Sequence, residues 1–350
     1  TNDDGPALFV ENADKVFVTL ATGATNTLAD GTAHTSVTDA DGTENDLDGV
    51  IYSRSDITFN GTGSLTINGN YAHGIVGKDD VKFMSGTYDI TAVSDGIQGK
   101  DSVMISDGTF SINAGGDGIQ SSRDDDTAKG FVYINGGTLD ITAADDGIQA
   151  YNIIRIVGGT LDVSCDGGAA NASTTTNTAT NQGGAGMRGN MQTATTTSTK
   201  SGAKGLVSDT GISLEGGSIS VDSSDDSVHT AGTVCISGGT VNLSSGDDGV
   251  HADNSLTVNG GTVTVSKSYE GLEAAYIDID GGTTYVTSSD DGLNAAGGTD
   301  SSQGQGTFGG TDQFGGSSSS SSTDYYIHID NGYLYVSAGG DGIDSNGEVT

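Results

Sequence analysis

With 12 Lys and Arg against 47 Asp and Glu, the 350-residue chain has a formal net charge of −35. That excludes nucleic acid as a natural partner, since phosphate binding needs cations the chain lacks. The 58 Gly and a hydrophobic share of only 33% would fit a disordered chain, but a fixed apolar period excludes that reading for most of the length, and no apolar run is long enough to cross a membrane.

The period is carried by the unit Asp247-Asp248-Gly249-Val250-His251-Ala252. Its third residue returns at Thr27, Gly49, Gly74, Gly96, Gly118, Gly147, Gly205, Ser227, Gly249, Gly271, Gly292 and Gly342, mostly at intervals of 22. A constant period of this size means a solenoid. The unit from Asp247 contains three short alternating runs, Val250-His251-Ala252, Leu256-Thr257-Val258 and Val263-Thr264-Val265, each read as a strand. The expected fold is all-β: a right-handed parallel β-helix of about 22 residues and three strands per turn, the right-handed course being the default.

In chain order, residues 1–48 are expected to cap the solenoid with imperfect turns. Val16 and Val18 read as a second strand, and Asn26-Thr27-Leu28 stands where later turns have Asp-Gly-Ile. The opening Thr1-Asn2-Asp3-Asp4 reads as the start of a mature or trimmed chain. The β-helix proper spans 49–350. Parity sends Ile97, Ile119, Ile148, Val228, Val250 and Leu272 inward from first strands, Val103/Ile105 and Leu256/Val258 from second strands, and Phe110/Ile112 and Val241/Leu243 from third strands. Low-complexity surface loops are expected at 167–203 and 297–323, with a smaller insert at 123–129; all three flank the first strands. Cys165 and Cys235 fall in turns that are not neighbours, so both are expected as free thiols.

An acidic residue precedes the marker at Asp48, Asp95, Asp117, Asp146, Asp226, Asp248, Glu270, Asp291 and Asp341, and a second Asp precedes it at Asp145, Asp225, Asp247 and Asp290. Stacked turns put these carboxylates in a column. Two unit charges about 5 Å apart repel by roughly 3 kcal/mol at an effective dielectric of about 20, so a partly shielded column needs neutralising. Calcium fits, because it takes six to eight oxygens from carboxylates and carbonyls. The best cluster is Asp117 with Asp145, Asp146 and the insert's Asp124, Asp125 and Asp126; Asp225 and Asp226 beside Asp247 and Asp248 is second. The alternative is plain Asp-Gly turn chemistry.

First strands are expected to expose Gln98, Gln120, Gln149, His229, His251, Glu273, Asn294 and Asp344. Third strands expose Thr-x-Asp/Ser/Asn patterns and then Tyr285, Tyr333 and Tyr335. Such ladders are either solvated cross-strand pairs or a shallow groove for an extended polymer, with tyrosines stacking on sugar rings.

Ala72-His73-Gly74-Ile75, Ser94-Asp95-Gly96-Ile97-Gln98-Gly99, Asp145-Asp146-Gly147-Ile148-Gln149-Ala150, Ser268-Tyr269-Glu270-Gly271-Leu272-Glu273 and Asp290-Asp291-Gly292-Leu293-Asn294 give the chain its likeness. It resembles the bacterial surface family of carbohydrate-binding domain-containing proteins, β-helices akin to pectate lyases. The resemblance implies an extracellular or cell-surface protein binding acidic plant cell-wall polysaccharide, notably polygalacturonate, with bound calcium and without catalysis demonstrated across the family; the outward ladders offer Gln98, Gln120, Gln149, His229, His251, Glu273, Tyr285 and Tyr335 for that contact, and a monomer is expected. Calcium is the implied cofactor, held among Asp95, Asp117, Asp124, Asp125, Asp126, Asp145, Asp146, Asp225, Asp226, Asp247, Asp248, Glu270, Asp290 and Asp291. Two alternatives stand beside this: a repetitive surface adhesin or spacer, and a calcium-dependent lyase using a basic residue, with Lys100 and Lys129 nearest the acidic corner. Lys204, Ser227 and His73 depart from the repeat and interrupt any continuous calcium row.

Overall fold

The computed structural model describes residues 1–38, 42, 44–172, 202–296 and 325–350. The loops expected at 167–203 and 297–323 therefore lie largely or wholly outside the described residues. Within the described residues the chain is a parallel β-helix without an α-helix, and a single-turn 3-10 segment occupies Gly168–Asn171. Third strands stack into one 11-stranded sheet. First and second strands merge into a 22-stranded sheet because Val250–Val258 and Leu272–Ile279 each run through the corner between them.

The fold follows from period-two patterning inside a period-22 repeat. Thr87–Ala92, Thr109–Ala114 and Thr138–Ala143 alternate strictly between exposed and buried residues. Their registers place Tyr88 on Phe110 on Leu139, and Ile90 on Ile112 on Ile141. Like stacked on like yields one contiguous core from Leu20 to Ile327. Each fully buried aliphatic side chain contributes roughly 1.5–3 kcal/mol of transfer free energy, so stability accumulates by stacking rather than within a turn. Near the N-terminal end the core is aromatic: Phe59 stacks on Phe83 at 4.9 Å and Tyr88 on Phe110 at 4.8 Å between centroids.

Two expectations at this end are corrected. Val16 and Val18 do form a second strand, paired with Ile57 and Phe59. Asn26-Thr27-Leu28, however, lies in a third strand, with Asn26 opposite Leu65 and Leu28 opposite Ile67. The first strand of that turn is Leu8–Val10, where Leu8 pairs with Ile51. Because Ile51 pairs with Ile75, the marker in the next turn is Val50, while Gly49 sits opposite His73 and Asp48 one residue outside the acidic column. Residues 31–38 and 44–48 fold back over the outward side of the first strands, where Leu47 and Val37 pack with Phe9, Tyr52 and Val76. That covers the first-strand face at one end, whereas Gln98, Gln120 and Gln149 farther along it are half-buried.

The marker glycine is required by packing. A Cβ on Gly96 would lie 2.5 Å from Ile112 Cγ2 and 2.7 Å from the Gly118 carbonyl oxygen. The facing third-strand residue is β-branched at Gly74, Gly118, Gly147, Gly205, Gly249, Gly271 and Gly292 as well. At Ser227 the residue in that register is Leu243, which pairs with Val221; lacking a second Cγ on its Cβ, it leaves room for the serine. Gly96→Ala is expected to destabilise the chain by about 2–3 kcal/mol through overpacking. Gly342→Ala, where a Cβ would meet nothing within 4 Å, should stay within about 0.5 kcal/mol. Paired denaturant titrations check this, and equal losses would refute the packing explanation. Both cysteines are free, Cys165 buried at the end of a third strand and Cys235 half-buried on a second strand.

Candidate functional site

The corner between each third strand and the next first strand carries the acidic column, and stacking brings Asp95, Asp117, Asp146, Asp226, Asp248, Glu270 and Asp291 into one file. Each marker N–H donates to the carbonyl of the acidic position one turn on, as from Gly96 to Asp117 (2.9 Å) and from Gly118 to Asp146 (2.9 Å). The carboxylates add a second ladder. Asp95 Oδ1 accepts the Asp117 N–H at 2.9 Å, Asp117 Oδ1 the Asp146 N–H at 3.0 Å, and Asp146 Oδ1 the Lys204 N–H at 2.8 Å. Beyond Lys204, Asp226 Oδ1 accepts from Asp248 (2.9 Å) and Asp291 Oδ1 from Asp341 (2.7 Å). One oxygen of each of these carboxylates is thus committed to holding neighbouring turns together.

The other oxygen faces the side chain three residues on. Gln120 Nε2 donates to Asp117 Oδ2 at 2.8 Å, Gln98 to Asp95 at 3.4 Å and Gln149 to Asp146 at 3.5 Å. The amides also run as a ladder, Gln98 Nε2 to Gln120 Oε1 and Gln120 Nε2 to Gln149 Oε1, each at 2.8 Å. Two turns later the partners are imidazoles, with His229 Nδ1 2.9 Å from Asp226 Oδ2 and His251 Nδ1 3.0 Å from Asp248 Oδ2. Asn294 Nδ2 donates to Glu270 Oε2 at 2.8 Å.

Charge along the file is uneven. Burial, and then Asp146, Asp95 and Asp145, push the Asp117 carboxyl up to about 8. Burial likewise pushes Asp146 up to about 7, against the opposing Lys204 backbone bond, and Glu270 up to about 7 with Glu273 beside it. Lys204 interrupts the file with a buried ammonium, 2.6 Å from Asp226 Oδ2 and 3.4 Å from Asp225 Oδ2. Burial alone would raise Asp226, but Lys204 and then His229 outweigh it and hold the carboxyl well below the usual range. Burial raises Asp248 well above that range, although the His251 hydrogen bond opposes it.

Among the described residues, four sets on this corner place one ligand atom from each residue within 4.8 Å of the others: Asp117 with Asp145 and Asp146, Asp225 with Asp226 and Asp247, Asp226 with His229 and His251, and Asp248 with His251 and Glu273. Asp290 lies next to Tyr269, which hydrogen-bonds to it. The insert's acids are elsewhere. Asp125 pairs with Arg123, Asp126 Oδ1 accepts the Ala128 N–H, and Arg123 and Lys129 converge on the buried Asp101 at the opposite end of the first strand. Asp124, Asp125 and Asp126 thus join no cluster with Asp117 among the described residues. Sequence reasoning missed Asp101 and Asp253, single acids outside the repeat, and a group of Asp278 and His328 on second strands with Asp280 just past one.

On the outward first-strand face Gln98, Gln120, Gln149 and Glu273 are half-buried, but His229 and His251 are only 4% and 3% exposed. Their rings turn back along the strand onto Asp226 and Asp248 and stack on each other at 5.0 Å. The expectation that they meet a sugar is corrected on that ground. On the third-strand face Tyr285, Tyr333 and Tyr335 are 40%, 53% and 52% exposed, with Tyr285 5.7 Å and 6.3 Å from the other two ring centroids.

A family model described as carbohydrate-binding domain-containing protein matches residues 1–249, 231–271 and 247–292. The chain belongs to this family. It is 37% identical over 92 residues to a carbohydrate-binding domain-containing protein of Acetivibrio thermocellus, a match that takes in 26% of this chain and 31% of that protein. The chain therefore spans about a third of that relative's length. A solved structure titled as a polysaccharide lyase-like protein from C. thermocellum, in a gadolinium derivative, is similar with a TM-score of 0.45 and 36% identity, over 47% of this chain and 67% of that one.

For a member of the carbohydrate-binding domain-containing family, the surfaces open to a polymer are the amide ladder and the tyrosine group. Of the two lysines a lyase would draw on, Lys129 is tied up in an ion pair. Lys129 is 2.6 Å from Asp101 Oδ2, and that hydrogen bond raises its pKa. A lysine held so firmly as a cation is the opposite of a base poised to take a proton.

Proposed function

We propose that the chain binds an acidic cell-wall polysaccharide of the polygalacturonate kind outside the cell, as a monomer, with calcium shared between protein and polymer carboxylates. The observation that carries the reading is the exposed group of Tyr285, Tyr333 and Tyr335 on a family member built for carbohydrate. Exposed aromatic faces clustered on two neighbouring strands suit stacking on sugar rings of an extended polymer.

Calcium is assigned to Asp117, Asp145 and Asp146. Their donors are all oxygen, as calcium prefers, and Asp145 is exposed, so its carboxylate can share the ion with a uronate. The Asp225, Asp226 and Asp247 set fits less well, because the Lys204 ammonium already lies against Asp226. The calcium row reduces to one cluster. It stands some five to six turns from Tyr285, about 25 Å at roughly 4.8 Å per turn, so an oligomer must span several turns to use both.

Retention on immobilised polygalacturonate tests the reading. Tyr285→Ala with Tyr335→Ala is expected to weaken binding by about 10- to 100-fold, at roughly 1 kcal/mol or somewhat more per stacked ring, and chelator is expected to abolish retention. Unchanged affinity in the double variant, or retention indifferent to chelator, would overturn it.

A further inference from the structure

The position three residues after the column acid is Gln at 98, 120 and 149, and becomes His at 229 and 251. The change coincides with a different environment. His251 Nδ1 lies 3.0 Å from Asp248 Oδ2 and also 3.0 Å from Glu273 Oε2 of the next turn. Its Nε2 lies 3.2 Å from Asp253 Oδ1. A ring nitrogen carries at most one hydrogen, so a proton on Nδ1 serves both carboxylates only by being divided between them. With the proton on Nε2 and donated to Asp253, the Nδ1 lone pair instead points between two carboxylates, which is how a metal-ligating histidine is oriented by an outer carboxylate.

We infer that Asp248, His251 and Glu273 form a binding site for a first-row transition-metal dication such as zinc, walled on one side by His229. This inference does not rest on the carbohydrate reading. The three ligand atoms lie within 4.8 Å of one another. A cation about 2.0–2.2 Å from each ligand brings neighbouring ligand atoms to about 3.0–3.5 Å apart, the spacing already present around Nδ1. An imidazole with two carboxylates suits zinc, cobalt or nickel, whereas calcium takes oxygen ligands alone. The neighbouring Asp226 is not needed, since Lys204 lies against it at 2.6 Å. The stacked His229 and His251 rings close the site from the previous turn, while the half-buried Glu273 and Asp253 leave an entry from solvent.

Metal-stripped full-length protein titrated with cobalt(II), read by visible absorption and calorimetry, should take up one ion per chain at this site, and millimolar calcium should not displace it. His251→Gln installs the residue that Gln98, Gln120 and Gln149 place in the same column, so the turn retains a side chain the fold already accepts. It should weaken cobalt and zinc binding by about 100-fold or more, and Glu273→Gln should also weaken it. The proposal is overturned by absence of cobalt and zinc uptake in the unaltered protein, by undiminished binding in both variants, or by displacement with calcium. If His251→Gln does not fold, Glu273→Gln alone decides.

Discussion

Lys204→Met is expected to lower the melting temperature at pH 7.5 more than any other single surface-column change, by roughly 6–10 °C. The ammonium stands against Asp226 at 2.6 Å and Asp225 at 3.4 Å, with all three side chains buried. Removing one partner of a buried ion pair leaves an uncompensated charge and costs about 3–5 kcal/mol, and a chain of this size loses about 2 °C per kcal/mol. Methionine keeps the apolar stem, so lost packing contributes little. The sign with pH follows from Asp226, which Lys204 holds below the usual carboxylate range. In the unaltered protein a depressed carboxyl contributes stability that is present above its unfolded value and lost as pH falls. Without Lys204, burial dominates and the carboxyl rises instead, so the penalty shrinks in acid. Adding Asp226→Asn should recover most of the loss, since the amide oxygen can still accept the Asp248 N–H. Thermal melts of the single and double variants check this, and an additive double variant would mean the ammonium is not paired as described.

The period, strand number and core parity were legible in the sequence because each turn repeats the same 22 positions and like residues stack on like. The misplacements have physical causes. Asn26-Thr27-Leu28 alternates as well as any strand, but alternation does not distinguish a first strand from a third; only the pairing of Leu8 with Ile51 does. Gly49–Ser53 is buried throughout, with Val37 and Leu47 packed over its outer side, so no polar face marked its register. The acidic file was visible as a repeat, yet nothing in the spacing revealed that one carboxylate oxygen caps the next turn's N–H. Parity correctly sent His229 and His251 outward from the core. It could not show that each ring folds back onto the acid three residues earlier, nor that Glu273 from the following turn closes over His251. Lys204 stood out as a departure from the repeat, but its consequence needed the stacked neighbour, Asp226, to be placed.

Chelated protein is expected to become less stable as pH rises from 5.5 to 8.5, with calcium restoring the loss only at the alkaline end. Burial and neighbouring acids push Asp117 up to about 8 and Asp146 up to about 7, against about 3.9 in an unfolded chain. A carboxyl raised in the folded state binds its proton more tightly there, so it contributes stability that is complete below about pH 4. That contribution disappears as pH climbs through the folded values, because stability falls wherever the folded state holds more protons than the unfolded one. The loss should run to a few kcal/mol between pH 5.5 and 8.5, steepest up to about pH 7 and levelling off above about 8. Calcium neutralises the same carboxylates once the protons have gone and must displace protons before then, so added calcium should raise the melting temperature clearly at pH 8.5 and barely at pH 5.5. Asp117→Asn keeps an oxygen to accept the Asp146 N–H while removing the charge, and should flatten the pH profile and blunt the calcium response together. Equal calcium stabilisation at both pH values, or a melting temperature flat across the range, would show that neither proton nor metal neutralises this corner.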